Sequence, residues 1–172
     1  MNISRYGKED AMPIKEFCTT NVITALEGET AFDAAQKMEN KGVGSIVVVD
    51  RGTKPVGMIT DRDIAVKVVA QGKDPKTTSL KEIMSKDMIV LSQDRGFFET
   101  TKIMREKGIR RIPVVDHEGK LFGIICLDDL IMVFGEEAAN IAGTIAYGTS
   151  RAEEKTVAVG LGDGCLRYCA WR

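Results

Sequence analysis

The sequence predicts a mixed α/β fold of the α+β kind, made of two tandem copies of one β-α-β-β-α unit. When the chain is aligned with itself at an offset of 66 residues, residues 14–64 match residues 80–130 without a gap, and 15 of the 51 pairs are identical. Each copy alternates short apolar runs with segments of helical spacing. Because a unit of about 60 residues buries little of its surface and would be only marginally stable alone, the copies are expected to pack face to face as one pseudo-two-fold module.

The first half of each copy has the pattern of a strand followed by a helix. Short apolar pieces at residues 22–26 and 88–91 are strand candidates. Gly42 and Gly108 then stand where glycine commonly adopts the left-handed conformation that ends a helix. The residues at helical spacing before these glycines are Phe32, Ala35 and Met38 in the first copy and Phe98, Thr101 and Met104 in the second.

The second half of each copy predicts two further strands. Residues 45–49 and 112–115 are nearly continuous apolar runs, which are typical of strands buried on both faces. Polar turns lead from them into the apolar runs at residues 56–59 and 122–125. Each copy therefore contains a strand pair joined by a short turn.

Helices are predicted after each strand pair, at residues 61–70 and 128–134, with a separate short helix after Gly135. The glycine-rich end of the chain has no clear period. The predicted organisation is a lead-in (1–13), a first repeat (14–72), a polar linker (73–79), a second repeat (80–135), and a C-terminal helix with an unplaced tail (136–172).

Composition and charge exclude several classes of protein. The 24 lysines and arginines are balanced by 25 acidic residues, whereas nucleic-acid binding usually requires a surplus of positive charge. The sequence contains no stretch of eighteen consecutive apolar residues, so no membrane span is predicted. The first residues do not resemble a signal peptide. The four cysteines, Cys18, Cys126, Cys165 and Cys169, are therefore expected to be reduced thiols of a cytoplasmic protein.

Two motifs resemble the cystathionine β-synthase (CBS) domain family. They are GMITDRD at residues 57–63 and IRRIPVVD at residues 109–116, and the resemblance covers residues 14–134. A tandem pair of CBS domains forms a Bateman module. The resemblance implies an adenosine-containing ligand (AMP, ADP or ATP, in some members S-adenosylmethionine or a cyclic dinucleotide) in a cleft between the repeats. It also implies a homodimer that regulates an unidentified effector protein in trans.

Thr60 and Asp63 lie at a predicted strand-to-helix junction, where free backbone N–H groups and the helix dipole favour an anion. A carboxylate suits a ribose diol because it only accepts hydrogen bonds, which the diol can donate. The resemblance implies that Asp63 binds the ribose hydroxyls and that the Thr60 hydroxyl meets a phosphate. The alternative is a structural helix cap, with Thr60 at the N-cap and Asp63 three residues later. Both roles can coexist.

Arg110 and Arg111 precede a predicted strand of the second repeat. Their guanidinium groups offer forked donors that match phosphate oxygens. The resemblance implies that basic residues here reach the phosphates of a nucleotide held by Thr60 and Asp63 of the other repeat. Because side chains alternate along a strand, only one arginine is expected to be essential. The alternative is a solvated pair.

The adenine is expected to lie against apolar strand residues of the first repeat, with backbone groups reading its edge. These residues are expected to belong to the core in any case. The further residues predicted to contact the nucleotide are Ile23, Thr24, Val43, Gly44 and Ile46.

The corresponding motif of the second repeat, GIICLDD, predicts a weaker site. Cys126 replaces the hydroxyl, and Asp128 adds a second acid, while Asp129 keeps the ribose position. The partners expected from the first repeat, Gly44 and Ser45, bring no positive charge. The sequence therefore predicts one competent nucleotide site per chain.

The remaining polar residues do not predict catalysis or a metal site. His117, the only histidine, falls in a turn, and the spacing of Cys165 and Cys169 is not that of a typical zinc or redox pair. No nucleophile or general base is expected near Thr60, so a non-catalytic regulatory sensor is the preferred hypothesis. The alternative is a structural dimerisation or scaffolding module with a vestigial nucleotide site.

Overall fold

The computed structural model describes the backbone of residues 12–157 and the side chains of residues 12–145 and 147. Two compact units divide between Ile131 and Met132. Both sheets lie in the first unit, and the described part of the second consists of the remainder of the last helix. The strands are β1 (Thr24–Leu26), β2 (Ser45–Val49), β3 (Pro55–Thr60), β4 (Leu91–Ser92), β5 (Arg111–Val115) and β6 (Leu121–Cys126). The α-helices are α1 (Ala31–Lys41), α2 (Asp61–Ile64), α3 (Leu80–Ile83), α4 (Phe97–Lys107) and α5 (Leu127–Val157).

The two repeats form two three-stranded sheets of the same design. Their strand orders are β1-β2-β3 and β4-β5-β6, with the first pair parallel and the second antiparallel. Irregularities between Val48 and Val49 and between Val114 and Val115 also lie 66 residues apart. The predicted mixed fold of two tandem repeats is confirmed.

Helix ends follow the local chemistry of the sequence. Thr30 caps α1 in a capping box with Asp33, because each side chain bonds the backbone N–H of the other residue. At the other ends of α1 and α4, Gly42 and Gly108 both have φ of 63°. The left-handed C-caps predicted from these two glycines are confirmed.

Each repeat pairs with the segment that precedes the first strand of the other repeat. The backbone N–H of Thr19 donates to the Ile124 carbonyl and that of Ile124 to the Thr19 carbonyl, both at 2.9 Å. Met58 and Ser85 exchange the equivalent bonds at 3.1 and 2.9 Å. The segment before β1 therefore belongs structurally to the second repeat, and the segment before β4 belongs to the first.

Two glycines permit this exchange. A Cβ atom on Gly57 would overlap the Met84 sulfur. On Gly123 it would lie 2.7 Å from the Cys18 sulfur and 2.9 Å from the Thr19 carbonyl oxygen. Cys18 and Met84 are themselves equivalent in the repeat, so each exchanged segment packs over a glycine of the opposite sheet.

The hydrophobic core of the first repeat includes residues of the second. Side chains of α1 and of strands β2 and β3 pack with Leu80, Ile83 and Met84, all of which are at most 7% exposed. Burial of apolar surface is the main favourable contribution to folding. The shared core explains why the two copies form one module.

The structure differs from the sequence-based expectation in the later helices. The predicted helix at residues 61–70 is a short α-helix continued by a π-helical turn, Ala65–Val69. The predicted break at Gly135 is wrong, since α5 runs without interruption from Leu127 to Val157. A glycine inside a helix costs only about 1 kcal/mol relative to alanine, which the alanines and glutamates that follow can offset. The predicted tail from residue 158 onward lies outside the described residues.

Over the part of the chain that the structure describes, no helix has both the length and the apolar character needed to cross a membrane.

The turns between the paired strands differ at one position. Thr53 has φ of 63°, whereas the equivalent Gly119 has φ of 77°. A β-branched residue in this left-handed region is strained by about 1–2 kcal/mol. Glycine would relieve this strain, but it loses more conformational entropy on folding, which offsets part of the gain.

We expect Thr53→Gly to raise the free energy of unfolding by roughly 0.5–1 kcal/mol in urea denaturation. Gly119→Thr is the reciprocal control and should lower the free energy of unfolding by about the same amount, roughly 0.5–1 kcal/mol. A destabilised Thr53→Gly variant would contradict the strain.

Candidate functional site

Thr60 and Asp63 form a complete capping box at the junction of β3 and α2. The Thr60 hydroxyl donates to Asp63 Oδ2 at 2.7 Å and accepts from the Asp63 backbone N–H at 3.1 Å. The Thr60 backbone N–H also donates to Oδ2, at 2.9 Å. The structural role predicted for this pair is therefore present in the structure.

A lysine one turn later holds the other carboxylate oxygen. Lys67 Nζ lies 2.8 Å from Asp63 Oδ1 and donates to the Ile83 carbonyl at 2.6 Å. Burial on its own would raise the pKa of Asp63, but the hydrogen bonds from Lys67 and Thr60 outweigh it and leave the pKa below its ordinary value. The Asp63 side chain is 18% exposed. It is a carboxylate at neutral pH, and it is linked through Lys67 to the segment that the second repeat contributes.

A cavity of about 400 Å³, here called the Thr60 cavity, opens beside this box between the two repeats. The first repeat contributes three lining residues and the second seven. The lining residues are Met58, Thr60, Asp63, Ser85, Asp87, Met88, Ile89, Lys107, Ile109 and Arg111.

The two arginines predicted to reach this site occupy different positions. Arg111, the first residue of β5, is half-buried and lines the Thr60 cavity. Arg110 is exposed and is not among the lining residues. The structure thus brings Thr60, Asp63 and Arg111 together in one lining, whereas Arg110, which precedes β5, lies outside it.

A second cavity of about 420 Å³, the Cys126 cavity, lies at the equivalent junction of β6 and α5. Cys126 and Asp129 face residues of the first repeat, including Ser45. The lining residues are Thr19, Asn21, Val22, Ile23, Gly42, Val43, Gly44, Ser45, Arg111, Ile124, Cys126, Asp128 and Asp129.

The residues predicted to surround the adenine do not line the Thr60 cavity, contrary to the expectation. Ile23, Val43 and Gly44 line the Cys126 cavity rather than the Thr60 cavity. Thr24 lies in β1, and Ile46 is a core residue of β2 with 1% exposure; neither belongs to the lining of these two cavities.

The residues that do form the apolar side of the Thr60 cavity can be found from the repeat. Ile89 and Ile109 are the equivalents of Ile23 and Val43 in the second repeat. Each cavity combines the strand-to-helix junction of one repeat with the residues that precede the first two strands of the other repeat. The 66-residue offset gives these equivalents, but the contact between the repeats decides which of the two sets lies beside Thr60.

The Cys126 junction is a weaker version of the Thr60 box. The Cys126 backbone N–H donates to Asp129 Oδ2 at 3.0 Å. Burial, together with the nearby Asp129 carboxylate, raises the pKa of the Cys126 thiol to about 11, although Arg111 opposes the rise. At neutral pH this sulfur is a neutral thiol, which is a poor nucleophile.

Within the described residues, no group of three or more histidine, cysteine, aspartate or glutamate side chains is arranged to hold a metal ion.

Sequence comparison connects the chain with one family. The family model of the CBS domain matches residues 14–70 and 80–136. An uncharacterized protein of Methanopyrus kandleri is 42% identical over 123 residues, which are 72% of this chain and 63% of that protein. The CBS domain-containing protein YhcV of Bacillus subtilis is 38% identical over 117 residues, which are 68% of this chain and 81% of that protein.

Comparison with solved structures gives the same result. The CBS domain pair of protein MJ0100, in complex with 5′-methylthioadenosine and S-adenosyl-L-methionine, superposes with a TM-score of 0.66. The two sequences are 28% identical, and the match covers 74% of this chain and 98% of that chain.

The capping role of Asp63 predicts a pH-dependent contribution to stability. Asp63→Ala removes hydrogen bonds from charged and backbone donors, so we expect it to lower the free energy of unfolding at pH 7 by about 1–2 kcal/mol. Because the folded-state pKa is depressed, this contribution is complete above the unfolded pKa of about 4 and is lost as pH falls through the folded value. Urea denaturation at pH 7 and pH 3 measures both.

The exposed Asp61, two residues earlier on the same helix, provides the control. Asp61→Ala should lower the free energy of unfolding at pH 7 by less than Asp63→Ala does. Equal losses for the two variants, or a loss for Asp63→Ala that does not change with pH, would contradict the proposed stabilisation.

Proposed function

The chain belongs to the CBS domain family, and on that basis we propose that it is a regulatory module that binds an adenine nucleotide in the Thr60 cavity. The observation that carries the proposal is the composition of this cavity. Its lining combines the Asp63 carboxylate of the first repeat, Arg111 of the second repeat and several apolar side chains. A bound nucleotide would therefore contact both repeats at once.

The hydrogen bonds around Asp63 leave room for a ribose. A carboxylate has about four acceptor positions, and three are used by the Thr60 N–H, the Thr60 hydroxyl and Lys67. One ribose hydroxyl can take the remaining position. The second can replace the Thr60 hydroxyl, whose proton then turns toward a phosphate oxygen.

Two basic residues are available for the phosphate. The Arg111 guanidinium can form forked, charge-assisted hydrogen bonds with phosphate oxygens, and Lys107 adds a second positive charge. Asp63 and Asp87 balance these charges in the lining. Because this lining has no surplus of positive charge, we expect AMP to bind more tightly than ADP or ATP.

The adenine has an apolar surface to rest against. Met58, Met88, Ile89 and Ile109 line the Thr60 cavity and are all partly buried. Ligand pockets typically combine such a wall with a few placed polar groups, in volumes of about 300–1,000 Å³. The Thr60 cavity falls within this range.

Regulation would follow from the way in which the ligand bridges the repeats. A ligand shifts a conformational equilibrium only by its different affinities for the two states, and a nucleotide held by both repeats favours the packing that brings them together. We propose that a cytoplasmic homodimer presents this packing to an effector protein in trans and that the chain itself is not an enzyme. The two adenosine compounds in the MJ0100 structure support the class of ligand.

Calorimetric titration with AMP, ADP, ATP and adenosine tests the proposal. We expect saturable binding of AMP together with an increase of the melting temperature, since a ligand at one hundred times its Kd stabilises the folded state by about 2.7 kcal/mol. Asp63→Ala should abolish both effects.

A matched control separates binding from capping. Asp33 forms the same kind of box with Thr30 at the start of α1 and does not line the Thr60 cavity, so Asp33→Ala should lose stability but keep AMP binding. If the whole panel produces no heat at millimolar concentration, the proposal fails and the scaffolding alternative stands. If Asp63→Ala keeps its affinity, the carboxylate is only a cap.

A further inference from the structure

Arg111 lies at the boundary of both cavities. It lines the Thr60 cavity and also the Cys126 cavity, because β5 starts there and places it opposite Cys126 in the antiparallel ladder. The equivalent residue of the first repeat is Ser45, which lies opposite Thr60 in the same way. The pseudo-two-fold arrangement therefore has a cation on one side and a small hydroxyl on the other.

The two cavities depend on this arginine to different degrees. In the Thr60 cavity, Lys107 provides a second positive charge beside Asp63 and Asp87. Among the described residues that line the Cys126 cavity, Arg111 is the only basic one, and it faces Asp128 and Asp129. Without its guanidinium, the Cys126 cavity has only negative charge.

We propose that Arg111 couples the two cavities, so that a phosphate-bearing ligand in the Thr60 cavity leaves the Cys126 cavity selective for a neutral or cationic adenosine compound. The inference rests on the proposed function, because it requires a nucleotide in the Thr60 cavity. One guanidinium carries a single positive charge, so it cannot neutralise a phosphate on each side as well as the carboxylates of the Cys126 cavity. A second phosphate would then meet Asp128 and Asp129 without a counterion, and an unpaired charge of this kind is costly.

The Cys126 cavity retains what a nucleoside requires. Asp129 keeps the position equivalent to Asp63, and its Oδ2 accepts from a backbone N–H while no lysine corresponding to Lys67 occupies the next turn, where Val133 stands. Ile23 and Val43 provide the apolar wall that Ile89 and Ile109 provide on the other side. A ribose can therefore bind there without a phosphate.

Coupling of this kind is reciprocal. AMP that draws the guanidinium away increases the negative potential around Asp128 and Asp129, which favours a cationic ligand. Such a ligand, by repelling the guanidinium toward the Thr60 cavity, strengthens the binding of AMP by the same factor. Two phosphate-bearing ligands, in contrast, compete for one arginine.

The experiment is calorimetric titration of the full chain with AMP alone, followed by titration of the AMP-saturated protein with adenosine or S-adenosylmethionine. We expect one AMP per chain, and then one further nucleoside compound per chain, with S-adenosylmethionine bound more tightly when AMP is present than when it is absent. Two AMP molecules of similar affinity per chain would overturn the inference but leave the proposed function intact. Absence of any AMP binding would overturn the proposed function itself.

Two variants test whether Arg111, rather than the neighbouring Arg110, couples the cavities. Arg111→Ser copies Ser45 of the first repeat; it should weaken AMP binding about tenfold or more and make the affinity for S-adenosylmethionine independent of AMP. Arg110→Ser removes the adjacent exposed arginine, which lines neither cavity, and should behave as the unmodified chain. Equal effects of both variants would show that general positive charge, rather than Arg111, produces the coupling and would overturn the inference.

A third variant tests the asymmetry in the opposite direction. Ser45→Arg introduces a second guanidinium at the equivalent position and should allow a second AMP to bind per chain. Failure of a folded Ser45→Arg protein to bind a second AMP would contradict the assignment of the selectivity to the single shared cation.

Discussion

Each repeat is held to the other by pairing with the segment that precedes the other repeat's first strand, and both cavities owe their position to this reciprocal pairing. Four backbone hydrogen bonds, between Thr19 and Ile124 and between Met58 and Ser85, hold the two copies in one orientation. Gly57 and Gly123 make room for these segments. Because Ile83 and Met84 also enter the core of the first repeat, separating the repeats would expose apolar surface as well as backbone polar groups. The clefts between the repeats therefore form together with the fold, and a ligand could change only the packing around them.

The same exchange positions the chemistry of the Thr60 cavity. Lys67 reaches from Asp63 to the carbonyl of Ile83, at the end of the exchanged helix α3. If the proposed function is right, capping and ligand binding use the same atoms of Asp63, and the ligand takes the place of one of the present hydrogen-bond partners of the carboxylate. Lys67 thus connects the hydrogen bonds of Asp63 with the contact between the repeats, as the proposed sensor function requires.

Symmetry of the fold does not imply symmetry of the charges. The ladders place Ser45 and Arg111 at equivalent positions, and Thr60 and Cys126 opposite them. Cys126, which lies opposite Arg111, thus has a neutral thiol where Thr60 has a hydroxyl. The complete capping box of Thr60 and Asp63 shares the other cavity with Arg111. Differences between the repeats at these positions are sufficient to make two chemically different cavities on one backbone design.

Much of the fold followed from the sequence alone. The gapless 66-residue repeat, the buried strands and the glycine C-caps at Gly42 and Gly108 are local or periodic signals, and the structure confirms them. Thr60, Asp63 and Arg111 could be grouped because the family motif specifies a contact between repeats. The end of the helix at Gly135 was wrongly predicted, since a single glycine is too weak a signal to interrupt a favourable helix.

Tertiary structure alone decided which apolar residues accompany each motif and where the arginines point. Ile23 and Val43 have the same local patterns as Ile89 and Ile109, so periodicity cannot assign them to one cavity or the other. The assignment comes from the exchange of the segments before β1 and β4, which brings together residues far apart in the chain. Likewise, the position of Arg111 between two cavities depends on how two sheets meet, and this is set by packing across the whole core rather than by any neighbouring residue.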